Sequence, residues 1–308
     1  MQPLRGILLK LLSVTLFVGM ATIVKATAGE VPPGEAVFFR SLFAIPVILG
    51  WLTLQGQLST GMKTTRPLGH IWRGVIGTSA MALSFTALGL LPLPEATAIG
   101  YAAPLLVVVL AALILREKVG VFRLSTVALG MVGVVIVLAP NLSVASGGIG
   151  GQEGLGAMVA LTGAFCAALA QIQVRRLVQV EGTATIVFWF SVTATCLSLL
   201  TLPWGWRMPS PTAFGLLVLG GLLGGFGQIC LTSSYRFADA SLIAPFDYAS
   251  MLLALLVGFF LFAEVPTATV LFGAGLIVLA GVGVILRERH LGLKRARERR
   301  ASRPGGPH

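Results

Sequence analysis

EATAIGYAAPLLVVVLAALILRE, the stretch Glu95–Glu117, has the length and apolar character of one membrane-spanning helix. A similar stretch, LIAPFDYASMLLALLVGFFLFAE, occupies Leu242–Glu264. Aligned without a gap, the two stretches share a tyrosine (Tyr101 and Tyr248), and both end in glutamate. Because the chain has only 3 Tyr and 11 acidic residues, these coincidences indicate two related halves, with the function located between them.

The composition predicts that most of the chain lies in lipid. Of its 308 residues, 56% are hydrophobic and only 11% are charged, whereas a soluble domain has about 25% charged residues. A soluble fold of this length could not bury so much apolar surface. In a soluble protein, a net charge of +11 would suggest that the protein binds nucleic acid. Here the basic residues lie in short loops and a tail, a pattern of membrane topology, so we expect no nucleic-acid partner.

Ten apolar segments are long enough to cross a bilayer as helices. In chain order, the predicted spans one to ten are Ile7–Ala28, Glu35–Leu54, Ile71–Leu91, Glu95–Leu115, Phe122–Pro140, Gly154–Val174, Thr183–Pro203, Thr212–Thr232, Leu242–Ala263 and Thr267–Leu286. The Gly/Ser-rich segment 141–153 has no basic residue and is the natural boundary. We therefore expect a first repeat at 1–140, a periplasmic linker at 141–153, a second repeat at 154–286 and a basic cytoplasmic tail at 287–308.

The distribution of basic residues predicts the orientation. With the N-terminus inside, only Arg207 of the 22 Lys and Arg residues lies in an outer loop, and Lys25 and Arg40 lie within spans. Arg73 is counted with the inner segments. This bias places both termini in the cytoplasm of a multi-pass inner-membrane protein. Five spans per half then invert the second repeat relative to the first. The first apolar run resembles a signal peptide, but it exceeds about 7–15 residues, so we expect a retained helix.

Several of these segments resemble the EamA family of the drug/metabolite transporter superfamily. The matching stretches are LPLPEATAIGYAAPLLVVVLAALILREKVG (Leu91–Gly120), VALGMVGVVIVLAP (Val127–Pro140), and their counterparts SLIAPFDYASMLLALLVGFFLFAEVP and GAGLIVLAGVGVILRE. The resemblance implies an all-α integral membrane protein, with ten transmembrane helices as two inverted five-helix repeats. It also implies a central cavity lined mainly by spans three, four, eight and nine. The residues around ATAIGYAAP are most similar to members associated with S-adenosylmethionine or riboflavin uptake.

Two basic residues inside spans are candidate binding residues. Placing an ionisable group within the bilayer costs free energy, so such residues usually have a functional role. Lys25 lies near the outer end of span one, where snorkelling to headgroups is the alternative. Arg40 lies about two turns into span two among apolar neighbours. We expect Arg40 to face the bundle, where it would pair with a carboxylate or helix end, or attract an anionic group.

Span nine carries the sharpest candidate, Asp247, which stands where the first half has Gly100. A single carboxylate near a cavity would take up a proton or hold a cationic amine; the alternative is a solvated acid at a helix start. Tyr101 and Tyr248 occupy equivalent places and offer rings and hydroxyls to a ligand, or pack with their hydroxyls satisfied. Gln228 in span eight is a further candidate for the pathway, with a polar contact that holds neighbouring helices together as the alternative.

Other polar and small residues have structural interpretations. Glu264 and Glu117 lie at span ends and are interpreted as anchors. The glycines of span eight have small-residue spacing, which favours close helix packing over a hinge. They are Gly220, Gly221, Gly224, Gly225 and Gly227.

The sequence lacks a phosphate-binding loop, a metal-spaced histidine cluster and a nucleophile elbow. We therefore expect no enzyme activity, catalytic residue, cofactor or metal site. The predicted function is transport of a small polar or zwitterionic metabolite (an amino acid, S-adenosylmethionine-like or riboflavin-like) by alternating access, with proton coupling and direction left open. The alternatives are a small-multidrug-type exporter of cationic compounds and a non-transporting membrane assembly partner. Expected partners are the cargo, the bilayer and anionic lipid at the tail, with the protein a monomer or homodimer.

Overall fold

The computed structural model describes residues 3–114, 121–142, 151–177, 180–237 and 249–286, apart from positions 281, 284 and 285. Every regular element within these ranges is helical. In chain order the helices are α1 Pro3–Thr27, α2 Pro33–Leu54, α3 Pro67–Leu90, α4 Leu93–Gly100, α5 Ala102–Ile114, α6 Val121–Leu142, α7 Gln152–Leu177, α8 Thr183–Ser198 with a 3₁₀ segment at Leu199–Trp204, α9 Pro211–Phe237, α10 Ala249–Phe262 and α11 Ala268–Ala280. The all-helical prediction is confirmed.

Each predicted span coincides with an apolar helical segment. Six helices are long and apolar enough to cross a membrane: Leu4–Thr27, Pro33–Leu54, Pro67–Leu90, Gln152–Val174, Ala184–Trp204 and Pro211–Leu231. Shorter apolar segments at Leu93–Val107, Ser125–Val137, Ala249–Phe262 and Ala268–Ala280 match the other four spans. Helices suit this environment because lipid offers no hydrogen bonds, so each backbone N–H and C=O must be paired within the protein.

The fourth span is broken, which the sequence did not predict. Helix α4 ends at Gly100 and α5 begins at Ala102, with Tyr101 between them. The proline at position 104 has no N–H to donate to the Gly100 carbonyl four residues earlier, so the helical ladder is interrupted there. The helix expected over Glu95–Leu115 is thus present with a one-residue interruption at Tyr101, whose backbone angles (φ −69°, ψ −5°) remain in the right-handed helical region; Leu115 lies outside the described residues.

The two halves of the chain interlock. Helix α1 packs on α9, α2 on both α8 and α9, and α3 on α7 and α8. Glycines allow the backbones to approach closely: a Cβ at Gly221 would lie 2.9 Å from the Phe39 carbonyl oxygen, and one at Gly225 3.0 Å from Val47 Cβ. The packing interpretation of the α9 glycines is confirmed at these positions. A site between the halves is thus built from helices that are distant in the chain.

Candidate functional site

Lys25, in the last turn of α1, is held by partners rather than directed at headgroups. Its Nζ lies 2.9 Å from Glu264 Oε1 and donates to the carbonyl oxygens of Leu91 at 2.6 Å and Leu88 at 3.4 Å. The two charged side chains are only 13% and 18% exposed. Lys25 and Glu264 therefore form a shielded ion pair between the first and second halves.

The same pair holds the corner between α3 and α4. Glu264 Oε2 accepts a hydrogen bond from Leu93 N–H at 2.8 Å, one of the unpaired donors at the start of α4. Lys25 meanwhile donates to carbonyls at the end of α3. Since a helix is positive at its start and negative at its end, both charges match the helix end that they contact. These contacts agree with the interpretation of Glu264 as an anchor, whereas Glu117 lies outside the described residues.

Arg40 lies inside the bundle, as its apolar flanks indicate. It is 7% exposed, and its Cζ lies 5.7 Å from the centroid of the Phe190 ring on α8. A Cβ at Gly224 on α9 would lie 3.2 Å from Arg40 Nε, so a glycine there leaves room for the guanidinium. Within the described residues, this Nε has no hydrogen-bond partner. Arg40 thus presents a charge between α2, α8 and α9.

Arg73 on α3 is a second arginine inside a span, partly buried, that sequence reasoning missed. Its Cζ lies 4.1 Å from the same Phe190 ring centroid. Its Nε and Nη1 are sealed from solvent and have no hydrogen-bond partner in the described part of the chain. A signal was present: Arg73 falls inside predicted span three, Ile71–Leu91. A span that begins at Ile71 predicts Arg73 near the inner face, whereas α3 begins at Pro67 and carries Arg73 about two turns into the helix.

Polar atoms without partners concentrate on two helices. Within the described ranges, the buried side-chain nitrogens and oxygens that have no hydrogen-bond partner all belong to α2 or α3. They are Arg40 Nε, Ser41 Oγ, both ring nitrogens of His70, Nε and Nη1 of Arg73, and Thr78 Oγ1. A cleft of about 220 Å³ opens beside Thr78 between α2, α3 and the end of α8. Buried polar groups normally have partners, so these atoms on α2 and α3 are candidates to contact a ligand or water.

A glutamate connects the loops next to this cluster. Glu181, between α7 and α8, accepts hydrogen bonds from Thr64 Oγ1 at 2.8 Å, Thr65 N–H at 2.8 Å and Arg66 N–H at 3.1 Å. His70 Nε2 lies 3.8 Å from the same oxygen. Burial raises the pKa of Glu181, but the hydrogen bonds from Thr64 and Thr65, with the nearby His70, outweigh it, so the net pKa lies below 4.5. Glu181 thus stabilises the α2–α3 connection in its ionised form.

The remaining predicted site residues are only partly brought together. Tyr101, at the break between α4 and α5, is 8% exposed and its hydroxyl pairs with Ser250 Oγ on α10. Gln228 on α9 is half-buried and lies four residues after Gly224, so it shares the helix face that Arg40 contacts. Asp247 and Tyr248 lie outside the described residues.

The family of the chain follows from a comparison with known proteins. One family model, the EamA-like transporter family, matches residues 4–139 and matches again at residues 154–286. The chain belongs to the EamA-like transporter family. The predicted resemblance is confirmed, and the ten apolar segments fit the ten-helix, inverted-repeat fold that this family implies.

Relatives of the chain are named as transporters. The S-adenosylmethionine uptake transporter of Rickettsia prowazekii (strain Madrid E) is 26% identical over 83% of both chains. The riboflavin transporter of Rhizobium johnstonii is 29% identical over 83% of this chain and 82% of the relative. The pseudopaline exporter of Pseudomonas aeruginosa is 29% identical over 91% and 95%. A solved crystal structure has the same fold, with a TM-score of 0.67 at 20% identity over 93% of this chain and 98% of the other.

Family membership and these relatives confirm the prediction of a multi-pass membrane transporter for small metabolites. The relatives include proteins named for uptake and one named for export, so the family fixes the activity but leaves the direction of movement open.

Proposed function

We propose that this protein moves a small polar or zwitterionic metabolite across the bacterial inner membrane by alternating access. The observation that carries the proposal is the break at Tyr101 between α4 and α5. Transporters of inverted-repeat type form their sites at interrupted helices near the bilayer midplane, where the repeats meet. In this chain the broken span also contacts the second half through Tyr101 and Ser250.

Individual residues take different parts in this proposal. Tyr101, Gln228 and Arg40 contact the cargo, together with Asp247 and Tyr248 on span nine. Asp247 takes up the coupling proton, because a lone carboxylate near the cavity is the natural titratable group. Lys25 contributes at the outer end, where its pairing with Glu264 holds the helices.

The proposed arrangement in the membrane has both termini in the cytoplasm. Residues 1–140 and 154–286 form the two inverted repeats, joined by a periplasmic linker at 141–153. The tail at 287–308 lies against anionic lipid, since basic segments beside a membrane are attracted to its negative surface. Cysteine labelling from either side of the membrane, with single cysteines placed in the linker and the tail, tests this orientation.

Counterflow into proteoliposomes tests the transport proposal without assuming a direction. The full-length protein is reconstituted in liposomes that contain unlabelled S-adenosylmethionine, riboflavin or an amino-acid mixture, and entry of the labelled compound is measured. We expect exchange of at least one of these compounds above protein-free liposomes. Absence of exchange for the whole set would contradict the proposed function.

Asp247→Asn tests proton coupling separately. This variant keeps the size of the side chain but cannot accept a proton as a carboxylate does. We expect exchange without a pH gradient to continue, while uptake driven by an imposed pH gradient is lost. Gradient-driven uptake equal to that of the wild type would remove Asp247 from the coupling step.

A further inference from the structure

We infer that Arg40 and Arg73, grouped around the Phe190 ring, form an oxyanion site for a carboxylate or phosphate group of the transported metabolite. This inference rests on the proposed function and deepens it, because it names the chemical class of the cargo. It also adds Arg73 and Phe190 to the candidate site.

The two arginines converge from opposite faces of the membrane. Arg40 lies about two turns after the start of α2, and Arg73 about two turns after the start of α3. Consecutive spans begin at opposite faces, so the two side chains approach the middle of the bundle from opposite directions. Both guanidinium groups end at the same ring, with Cζ–centroid distances of 5.7 Å and 4.1 Å. The two guanidinium groups thus share one aromatic neighbour, and the anionic group of the cargo is inferred to lie between them.

The positive charge of this pair is not matched by the described part of the protein. Neither arginine forms an ion pair with a carboxylate among the described residues, and the side chain of Glu264 pairs with Lys25 instead. Buried unpaired charges are destabilising, and two like charges near each other are more so. A bound carboxylate would offset one of these positive charges and a phosphate dianion both, so a bound anion would stabilise the two arginines within the membrane.

The donors have the geometry that oxyanions require. A guanidinium presents a planar fork of N–H groups, and this fork matches the two oxygens of a carboxylate or phosphate. The unpaired groups include Arg40 Nε and both Nε and Nη1 of Arg73. The Phe190 face supports the two cations by cation–π attraction without using their N–H groups. These donors thus remain without a protein acceptor in the described part of the chain, and a bound oxyanion would supply one.

An arginine site of this kind would distinguish between two compounds for which relatives are named, S-adenosylmethionine and riboflavin. S-adenosylmethionine carries a carboxylate together with an ammonium and a sulfonium group, whereas riboflavin has no charge at neutral pH. The guanidinium groups of Arg40 and Arg73 can pair with the carboxylate of S-adenosylmethionine, whereas riboflavin offers them no anionic group. We therefore assign the cargo to anionic or zwitterionic metabolites, with S-adenosylmethionine as the probe and riboflavin as the uncharged comparison.

Binding is tested with the full-length protein in nanodiscs of neutral phosphatidylcholine. Thermal unfolding is measured with inorganic phosphate, S-adenosylmethionine or riboflavin, each against chloride at equal ionic strength. A ligand that binds only the folded state raises the unfolding temperature. We expect phosphate and S-adenosylmethionine to raise it in the wild type. Arg40→Gln and Arg73→Gln should each weaken this binding by about tenfold or more, because charge-assisted hydrogen bonds are lost.

The control is Arg176→Gln, which removes one arginine that is exposed on α7 and should retain the full shift. The unfolding temperature of each variant without ligand serves as the control for misfolding. Removing one of these two arginine charges, neither of which is paired with a carboxylate among the described residues, should leave the free protein at least as stable as the wild type. Arg73→Lys keeps the charge without the planar fork, so it should bind the anion more weakly than the wild type.

Three outcomes would overturn the inference. The first is an equal anion shift in the wild type and both glutamine variants. The second is a shift that requires phosphatidylglycerol in the nanodisc and is absent with soluble anions, which would assign the site to a lipid headgroup. The third is counterflow of riboflavin alone, unaffected by the variants; there the transport function would stand and the oxyanion site would fail. Arginine-dependent anion binding without any counterflow would support the site and contradict the proposed function.

Discussion

Lys25 Nζ lies 2.9 Å from Glu264 Oε1, so an ion pair joins the end of the first helix to the segment that follows α10. The pair is placed between two helix ends of opposite polarity, with Lys25 on the carbonyls of Leu88 and Leu91 and Glu264 on the N–H of Leu93. Each charge therefore stabilises both its partner and a helix terminus. Four segments meet at this point.

Glu264→Gln should destabilise the protein. The substitution leaves the Lys25 ammonium largely buried without its counter-charge, and breaking a buried pair in this way costs about 3–5 kcal/mol when burial is complete. Because the side chains retain some exposure, we expect a loss near the lower end of that range, measured by thermal unfolding in nanodiscs. Loss of cargo affinity at unchanged stability would instead show that Lys25 serves the cargo.

Exchanging the two charges should not restore stability. In Lys25→Glu combined with Glu264→Lys, the attraction between the side chains is retained, but the carboxylate faces carbonyl oxygens and the ammonium faces the N–H of Leu93. Both helix ends are then mismatched. A double variant as stable as the wild type would show that the helix ends play no part.

Glu181 should give the protein a pH-dependent stability. Its folded pKa lies below the ordinary 4.5, so its contribution is fully present above pH 4.5 and is lost as the pH falls through the folded value. Glu181→Gln should therefore be less stable at neutral pH, by about 1.5 kcal/mol from weakened charge-assisted hydrogen bonds. The gap to the wild type should narrow below pH 4.5.

The measurement is thermal unfolding of both proteins across an acid titration. Glu153→Gln serves as the matched control, because Glu153 is an exposed acid in the first turn of α7. A constant gap between wild type and Glu181→Gln at all pH values would exclude a contribution from the charge of Glu181.

Tyr101→Phe should separate a binding role from a packing role. The substitution removes the hydroxyl that pairs with Ser250 and should cost about 1 kcal/mol of stability. Ser250→Ala removes the same hydrogen bond but keeps the phenol. If Tyr101 contacts the cargo, only Tyr101→Phe raises the half-saturation concentration in counterflow. Equal transport defects in the two variants would point to packing alone.

Gly77→Ala should disturb the arginine cluster while the fold persists. A Cβ at Gly77 would overlap Arg73 Nη1 and would lie 2.9 Å from Phe190 Cε2. The flexible end of Arg73 can move away, so we expect a small change in unfolding temperature and a weaker phosphate-induced shift. The control is Gly215→Ala on α9, where a Cβ meets nothing within 4 Å. That variant should be as stable as the wild type or more so, since alanine favours helices.

The predictable part of the fold and site is local. The length of the apolar segments identified the ten spans. The free-energy cost of a charge within the bilayer identified Lys25 and Arg40 as candidate functional residues. The break at Tyr101 was within reach, since Pro104 follows Gly100 by four residues. Arg73 was missed because hydropathy placed the start of the span at Ile71, although the helix begins earlier, at Pro67.

By itself the sequence determined the membrane class, the number of spans, the family and two of the buried charges, because these depend on composition within about 20 consecutive residues and on motif order. Only the tertiary structure decided which groups meet. Lys25 pairs with Glu264, and Arg73 shares the Phe190 ring with Arg40. The members of each set come from different halves or different helices, and their contact depends on how those helices pack, which no local pattern encodes.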